Sequence, residues 1–152
     1  MEENKNIDDL AGVIRERFEV PGEPMNRYSP LALAFMGDSV FEIIIRSIVV
    51  QTANRPAGQL NKIKVKFVNA AAQAKMIEAL ESELTDEEMD AYKRGRNAKS
   101  YTSAKNQSVA DYRKATGLEA LCGYLYLKGD LDRLFYLIRK GMDELGYKEV
   151  IK

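Results

Sequence analysis

No histidine occurs anywhere in the 152 residues, and the chain has no tryptophan, a single cysteine and four prolines. Without imidazole there is no Ser-His-Asp triad, no zinc hydrolase with imidazole ligands and no His-pair ribonuclease. The usual general base near neutral pH and the commonest zinc ligand are both gone. Cys122 alone cannot close an intramolecular disulfide, and a lone thiol without a secretion signal suits the reducing cytosol. It lies in the apolar run Ala120-Leu121-Cys122-Gly123-Tyr124. With no histidine to activate it, it reads as a buried, inert side chain rather than a nucleophile.

A long hydrophobic run is also missing. The most apolar stretch, 39–50, is short and carries Glu42 and Arg46, so no membrane span or membrane partner is expected. The opening residues Met1-Glu2-Glu3-Asn4-Lys5 have neither the basic region and apolar core of a secretion signal nor an Arg-rich transit pattern. A cytoplasmic location is the expectation. Polar chemistry then falls mainly to Asp, Glu, Lys, Arg and Tyr. Carboxylates without imidazole or thiolate favour hard cations such as Mg²⁺ or Mn²⁺.

Net charge is missing too, with 23 basic against 23 acidic residues, but the charges are not evenly spread. Residues 78–90 hold seven acids and no base. Residues 91–114 hold seven bases, Lys93, Arg94, Arg96, Lys99, Lys105, Arg113 and Lys114, against the one acid Asp111, a net of +6. Local field rather than total charge decides where phosphate is attracted.

What is present is helix-forming sequence. Apolar content of 45% supplies a core for one domain of ordinary size, and strand signals are nearly absent. The fold class is all-α, a helical bundle. A first helix is expected over about Ile7 to Phe18, stopping before Pro21-Gly22. A second starts at Ser29-Pro30, an N-cap followed by proline at the first helical position, and runs to about Gln51. Asn54-Arg55-Pro56 breaks it. Residues 57–84 read as one bent helix or two. Thr85-Asp86-Glu87-Glu88 is a capping box opening a short helix that ends near Arg94. Residues 95–107 read as a basic loop. Helix resumes over about Ser108 to Leu127, with a candidate break at Thr116-Gly117. Gly129 is the C-cap, and a last helix covers about Asp130 to Leu145.

Two acids in apolar helices resist a purely structural account. The helix 31–45 is apolar almost all round, which predicts burial. Asp38 and Glu42 lie one turn apart on one face of it, and burying an ionised carboxylate without a partner is costly. Gly37 beside Asp38 suggests close approach of another backbone or a ligand. The competing reading pairs Glu42 with Arg46 and leaves Asp38 hydrogen-bonded locally. Glu119 is the second case, but Thr116-x-x-Glu119 also fits a capping box, so it can close a helix start, face a metal, or do both. Asp38 and Glu119 are about 80 positions apart. Inward acids on separate helices can share a cation across a bundle, although spacing alone does not bring them together.

Arg94, Arg96, Asn97, Lys99, Lys105 and Arg113 are phosphate-contacting types with a glycine, Gly95, among them. The competing reading is a solvated loop balancing the acidic run before it. Lys62, Lys64 and Lys66 fan round a helix and read as solvated surface.

The segment Leu33-Ala34-Phe35-Met36-Gly37-Asp38-Ser39-Val40-Phe41-Glu42 resembles the signature helix of ribonuclease III. Arg94-Gly95-Arg96-Asn97-Ala98-Lys99-Ser100, Lys105-Asn106, Tyr112-Arg113 and the run Thr116 to Leu127 resemble its Mini-III branch, which has the catalytic domain and no double-stranded-RNA-binding domain. The likeness spans roughly Tyr28 to Leu145. It implies one ribonuclease III-like domain over 1–152, with its core at about 28–145 and an N-terminal helix and linker at 1–27. It further implies a homodimer, Mg²⁺-dependent hydrolysis of double-stranded RNA with Mn²⁺ as substitute, and maturation of the ends of 23S ribosomal RNA precursor with stimulation from a large-subunit ribosomal protein. Asp38 matches the family's catalytic aspartate and Glu119 its metal-binding glutamate, and the loop 94–105 matches the substrate's path. Two departures stand out. The signature has a glutamate four residues before the aspartate, where this chain has Ala34, and an aspartate three residues before the downstream glutamate, where it has Thr116. The rivals are a catalytically inactive RNA-binding module of the same fold associated with ribosome assembly, and a helical interaction protein, which leaves the +6 segment without a reason.

Overall fold

The computed structural model describes residues 9–98 and 108–151, and among these there are helices and no strand. Helix α1 spans Leu10–Arg17 and α2 spans Pro30–Thr52. Ser29 caps α2, its Oγ accepting from the Ala32 amide at 3.1 Å, and Pro30 is the first helical residue. The chain turns extended at Ala53, before Pro56, and Pro56 in turn precedes α3, Ala57–Val65. Asn69 caps α4, Ala70–Leu80, accepting from the Ala72 amide at 2.9 Å. The stretch 57–84 therefore divides into two helices and a 3-10 turn at Glu81–Glu83. Both halves of the Thr85/Glu88 capping box form at the start of α5, with bonds of 3.0 and 3.1 Å.

Helix α5 runs Asp86–Asn97, three residues past the end read from the sequence, because Gly95 is a packing residue and not a turn. A Cβ there would lie 2.5 Å from that of Ala120 and 3.1 Å from the Cα of Gly117. Of the stretch expected to be a basic loop, 95–97 is thus helical, and Lys99 and Lys105 fall outside the described residues. Helix α6, Val109–Lys128, is unbroken at Thr116-Gly117. Gly117 is there for the Tyr92 ring, whose carbons a Cβ would meet at 2.6 Å. Gly129 ends α6 in the left-handed region at φ +89°, and α7 follows at Leu131–Glu144. A short α8, Tyr147–Ile151, has no counterpart in the sequence reading.

The central element is α6, which packs against α1, α2, α4, α5 and α7. Phe41 and Ile45 of α2, Met76, Ile77 and Leu80 of α4, Leu118, Leu121 and Leu125 of α6, and Leu134 and Leu137 of α7 form one buried core. Cys122 is buried in it, and burial pushes its thiol pKa up, so it is the inert side chain expected. Helix α2 is not covered all round. Leu31, Phe35, Ile43 and Val50 are exposed, Phe35 to 80%. Its apolar character is split between a core face and an uncovered row. No helix among the described residues is long and apolar enough to cross a membrane.

One buried ion pair ties the second half of the fold together. Glu88 is 4% exposed. Arg133 of α7 reaches it with Nε at 2.8 Å and a second nitrogen at 2.9 Å, and also donates to the Glu83 carbonyl at 2.9 Å. Burial raises the Glu88 pKa, and Arg133 with the Thr85 amide more than offsets this, leaving it below the ordinary carboxylate value. Arg133→Ala leaves an uncompensated buried carboxylate. It is expected to lower unfolding free energy by about 2–3 kcal/mol in urea titrations at pH 7, below the 3–5 kcal/mol of a fully enclosed pair because the guanidinium keeps an edge in water.

Candidate active site

Helices α2 and α6 cross with their backbones in contact. A Cβ on Gly37 would overlap the Glu119 carbonyl oxygen and lie 2.8 Å from the Gly123 amide nitrogen. A Cβ on Gly123 would overlap the Leu33 carbonyl oxygen. Only glycine admits this approach, and it sets Asp38, the residue after Gly37, beside Glu119. The Asp38 carboxylate lies close enough to Glu119 to raise that group's pKa.

Glu119 is the more deeply placed of the two, and Asp38 is exposed at the rim. The expectation of two inward, buried acids is thus corrected: α2 lies along one side of the bundle, and its Asp38 face stays open. Burial, then the negative charge of Asp38, then the bond in which Glu119 keeps the proton, push the Glu119 carboxyl up to about 8. The reading of Glu119 as a cap is overturned. Helix α6 starts at Val109, capped by Ser108, seven residues before Thr116, and the Thr116 hydroxyl donates to the Tyr112 carbonyl at 3.0 Å.

 Counted from the Ser108 cap, Glu119 stands eleven residues into the helix, far beyond any capping position.

Glu42 takes the structural role open to it. Arg46 Nε lies 2.6 Å and Lys64 Nζ 3.0 Å from the same carboxylate oxygen. Lys64 is therefore a half-buried partner in an ion pair and not solvated surface. Burial raises the Glu42 pKa and the two cations outweigh it, leaving the carboxyl below its ordinary value. Its negative charge is already matched, so it offers little to a further cation.

A residue that the sequence reading missed is Gln73 of α4. It is 4% exposed, and its amide leans on the Glu119 carboxyl and lowers that group's pKa. Its Nε2 is nonetheless buried without an acceptor in full hydrogen-bond geometry. The only signal in the sequence is a lone amide in the small-residue run Ala70-Ala71-Ala72-Gln73-Ala74.

The basic residues gather nearby. Gly95 rests on Thr116, Gly117 and Ala120, so the end of α5 that carries Arg94, Arg96 and Asn97 packs within about one turn of Glu119. Arg94 is exposed and donates to the Tyr28 carbonyl at 3.4 Å. Arg96 lies over the Tyr92 ring at 5.4 Å and donates to Asn97 Oδ1 at 3.3 Å. Arg113 is exposed on α6, about 9 Å along the axis from Glu119.

Residues 31–130 match the Ribonuclease III domain. The chain is 49% identical over 106 residues to a Mini-ribonuclease 3 of Thermoanaerobacter sp. (strain X514), covering 70% of this chain and 75% of that one. A Mini-ribonuclease 3 of Clostridium tetani is 43% identical over 117 residues, covering 76% and 78%. The chain belongs to the ribonuclease III family, in its Mini-ribonuclease III branch. An X-ray structure of a Fusobacterium nucleatum protein superposes with a TM-score of 0.73 at 31% identity, covering 77% of this chain and 96% of that one. As a ribonuclease III-type enzyme, the protein is an endoribonuclease acting on RNA.

The donor set can be tested against a divalent ion. Two carboxylates converge with no cation paired to Glu119 among the described residues, and a buried amide nitrogen beside them lacks an acceptor. No group of three or more acids, cysteines or histidines placed to hold a metal ion occurs among the described residues. Ala34 is buried against Leu33 and Ala120, and the Thr116 hydroxyl is taken by the helix backbone. Two hard oxygen donors are few, but they fit Mg²⁺, which is commonly held by one or two carboxylates with water and substrate phosphate completing its shell.

The raised Glu119 pKa gives a pH signature. The folded state keeps a proton that the unfolded chain releases above its ordinary value of 4.5, up to about 8. Between these limits the native state binds more protons, so stability falls as pH rises. In EDTA, the melting temperature is expected to drop between pH 5 and pH 8, and Glu119→Gln is expected to flatten that drop. An identical slope in the variant counts against the acid pair.

Proposed function

We propose that the protein cuts double-stranded RNA at a site built on Asp38 and Glu119, and that its substrate is the 23S ribosomal RNA precursor, whose ends it matures. The observation that carries the reading is the contact of these two carboxyl groups at the glycine crossing of α2 and α6.

Mg²⁺, with Mn²⁺ as substitute, is the ion that Asp38 and Glu119 would hold. When bound it offsets charge on the scissile phosphate and lowers the pKa of water, which removes the need for a histidine base. Glu119 must give up its proton to serve as a ligand. The chain's own contribution is to hold two acids together at the open edge of a bundle, where RNA has access. Arg94, Arg96, Asn97 and Arg113, together with Lys99 and Lys105, bind and orient backbone phosphates. Such contacts read shape rather than sequence and weaken with salt.

A homodimer completes the reading. Leu31, Phe35, Ile43 and Val50 leave an apolar row uncovered on the helix that carries Asp38. A second copy would cover it and supply a second site for the opposite strand. A large-subunit ribosomal protein on the precursor is the stimulating partner.

With a structured precursor RNA, Mg²⁺ is expected to support cutting of both strands and EDTA to stop it. Asp38→Asn is expected to lower the rate on the order of 10³-fold while leaving RNA binding in filter assays intact. Binding without any cutting by the wild-type protein would overturn the proposal in favour of an inactive RNA-binding module. Phe35→Asp is expected to convert dimer to monomer in sedimentation at micromolar concentration with little change in monomer folding, since Phe35 already faces solvent. A dimer that survives Phe35→Asp removes α2 from the interface.

A further inference from the structure

Three glutamates that are partly or fully buried, Glu42, Glu88 and Glu119, meet partners of different kinds. Glu42 has Arg46 and Lys64, and Glu88 has Arg133. Glu119 has Asp38 and the Gln73 side chain. A cation beside Glu119 would stabilise its ionised form but would also occupy the position that a metal ion needs. A neutral amide does not compete in that way. It can donate to one carboxylate oxygen and leave the other free. Donation to an ionised acceptor is roughly twice as strong as to a neutral one.

Gln73 is built for that arrangement. It enters from α4, a third helix that packs on α6, and it is buried at a position where its neighbours are alanines. Its Nε2 has no acceptor in bonding geometry, and leaving a buried donor unmade costs free energy that a purely packing role would not explain. The ionisable group whose pKa its amide lowers is the Glu119 carboxyl. The positions where the family signature has further acids, Ala34 and Thr116, contribute none here.

We propose that Gln73 is a positioning residue that donates Nε2–H to the ionised Glu119 carboxylate and fixes its orientation toward a divalent cation. The inference rests on the Asp38–Glu119 reading above. It assigns to α4 a part of the site that the two acids alone lack. No proton or charge is transferred to Gln73 in this role.

The test is Mn²⁺ binding by calorimetry at pH 8, together with melting of the metal-free protein in EDTA. Gln73→Met keeps the volume and removes the donor. It is expected to keep or raise the metal-free melting temperature and to weaken Mn²⁺ binding by about 10–100-fold, the usual effect of losing a residue that orients a metal ligand. Gln73→Asn retains an amide and is expected to lose less than about tenfold. Unchanged Mn²⁺ affinity in Gln73→Met overturns the inference while leaving the acid pair in place. So does equal loss in both variants accompanied by lower metal-free stability, which marks a packing role. If Asp38→Asn binds Mn²⁺ as well as the wild type, or the wild type binds none, the acid-pair reading fails and this inference falls with it. Should Gln73→Met not fold, Gln73→Leu, also without a donor, takes its place under the same criteria.

Discussion

Gly37 and Gly123 let α2 and α6 touch backbone to backbone, and the position of every other group at the site follows from that contact. Side chains on helices at an ordinary separation of 8–10 Å would hold the two acids further apart. Here the residue next to one glycine is an aspartate, and the carbonyl against that glycine belongs to a glutamate. The close crossing therefore brings together two groups that repel when both are ionised. It is sustained by the core beneath it, where Phe41, Leu118 and Leu121 are all buried. Apolar burial supplies the free energy, and the crossing directs part of it into an unfavourable electrostatic contact.

The same logic separates this contact from the chain's other acids. Glu42 and Glu88 have guanidinium or ammonium partners and sit below their ordinary pKa, as is usual for acids that hold helices together. Glu119 is pushed up to about 8 because burial and the neighbouring acid Asp38 outweigh the Gln73 amide. Perturbation of that kind is common at functional sites, where burial and a like charge leave a demand for a proton or a metal. The electrostatic contrast, more than the count of acids, singles out one glutamate among many in a chain with 23 acidic residues.

Much of the fold is legible in local sequence, because caps and breaks are local. Ser29-Pro30, the Thr85/Glu88 box, Pro56 and Gly129 act in the structure as their residue types require. Contacts between helices are where local reading fails. Gly95 and Gly117 look like breaks but serve helix-to-helix approach, so α5 runs longer and α6 runs unbroken. Thr116-x-x-Glu119 has the spacing of a cap but lies in mid-helix, since the pattern does not say where a helix begins. Gly37 did carry a signal of close approach, though not the identity of the neighbour. That Asp38 meets Glu119 depends on the crossing angle and position of two helices about 80 residues apart, which resemblance to a family could suggest and spacing could not. The open side of α2 was hidden by its apolar composition, because an uncovered row and a core face look alike in sequence. Gln73 was hidden for the opposite reason, as an amide among alanines carries no periodic mark.

A site with two carboxylates has a consequence for substrate binding as well as for the ion. A divalent cation on two carboxylates leaves the group close to neutral, whereas four would leave it at about −2 and repel an incoming phosphate. Fewer acids hold the ion less tightly but oppose the RNA backbone less. The demand on surrounding basic residues is correspondingly smaller, which fits a chain with no net charge. A neutral amide in place of a third carboxylate follows the same economy: it can orient Glu119 without adding to the negative charge that both the ion and the phosphate must meet. The thinness of the acid set is then compatible with an enzyme, provided that the rest of the ion's coordination shell is supplied by water and by the RNA itself.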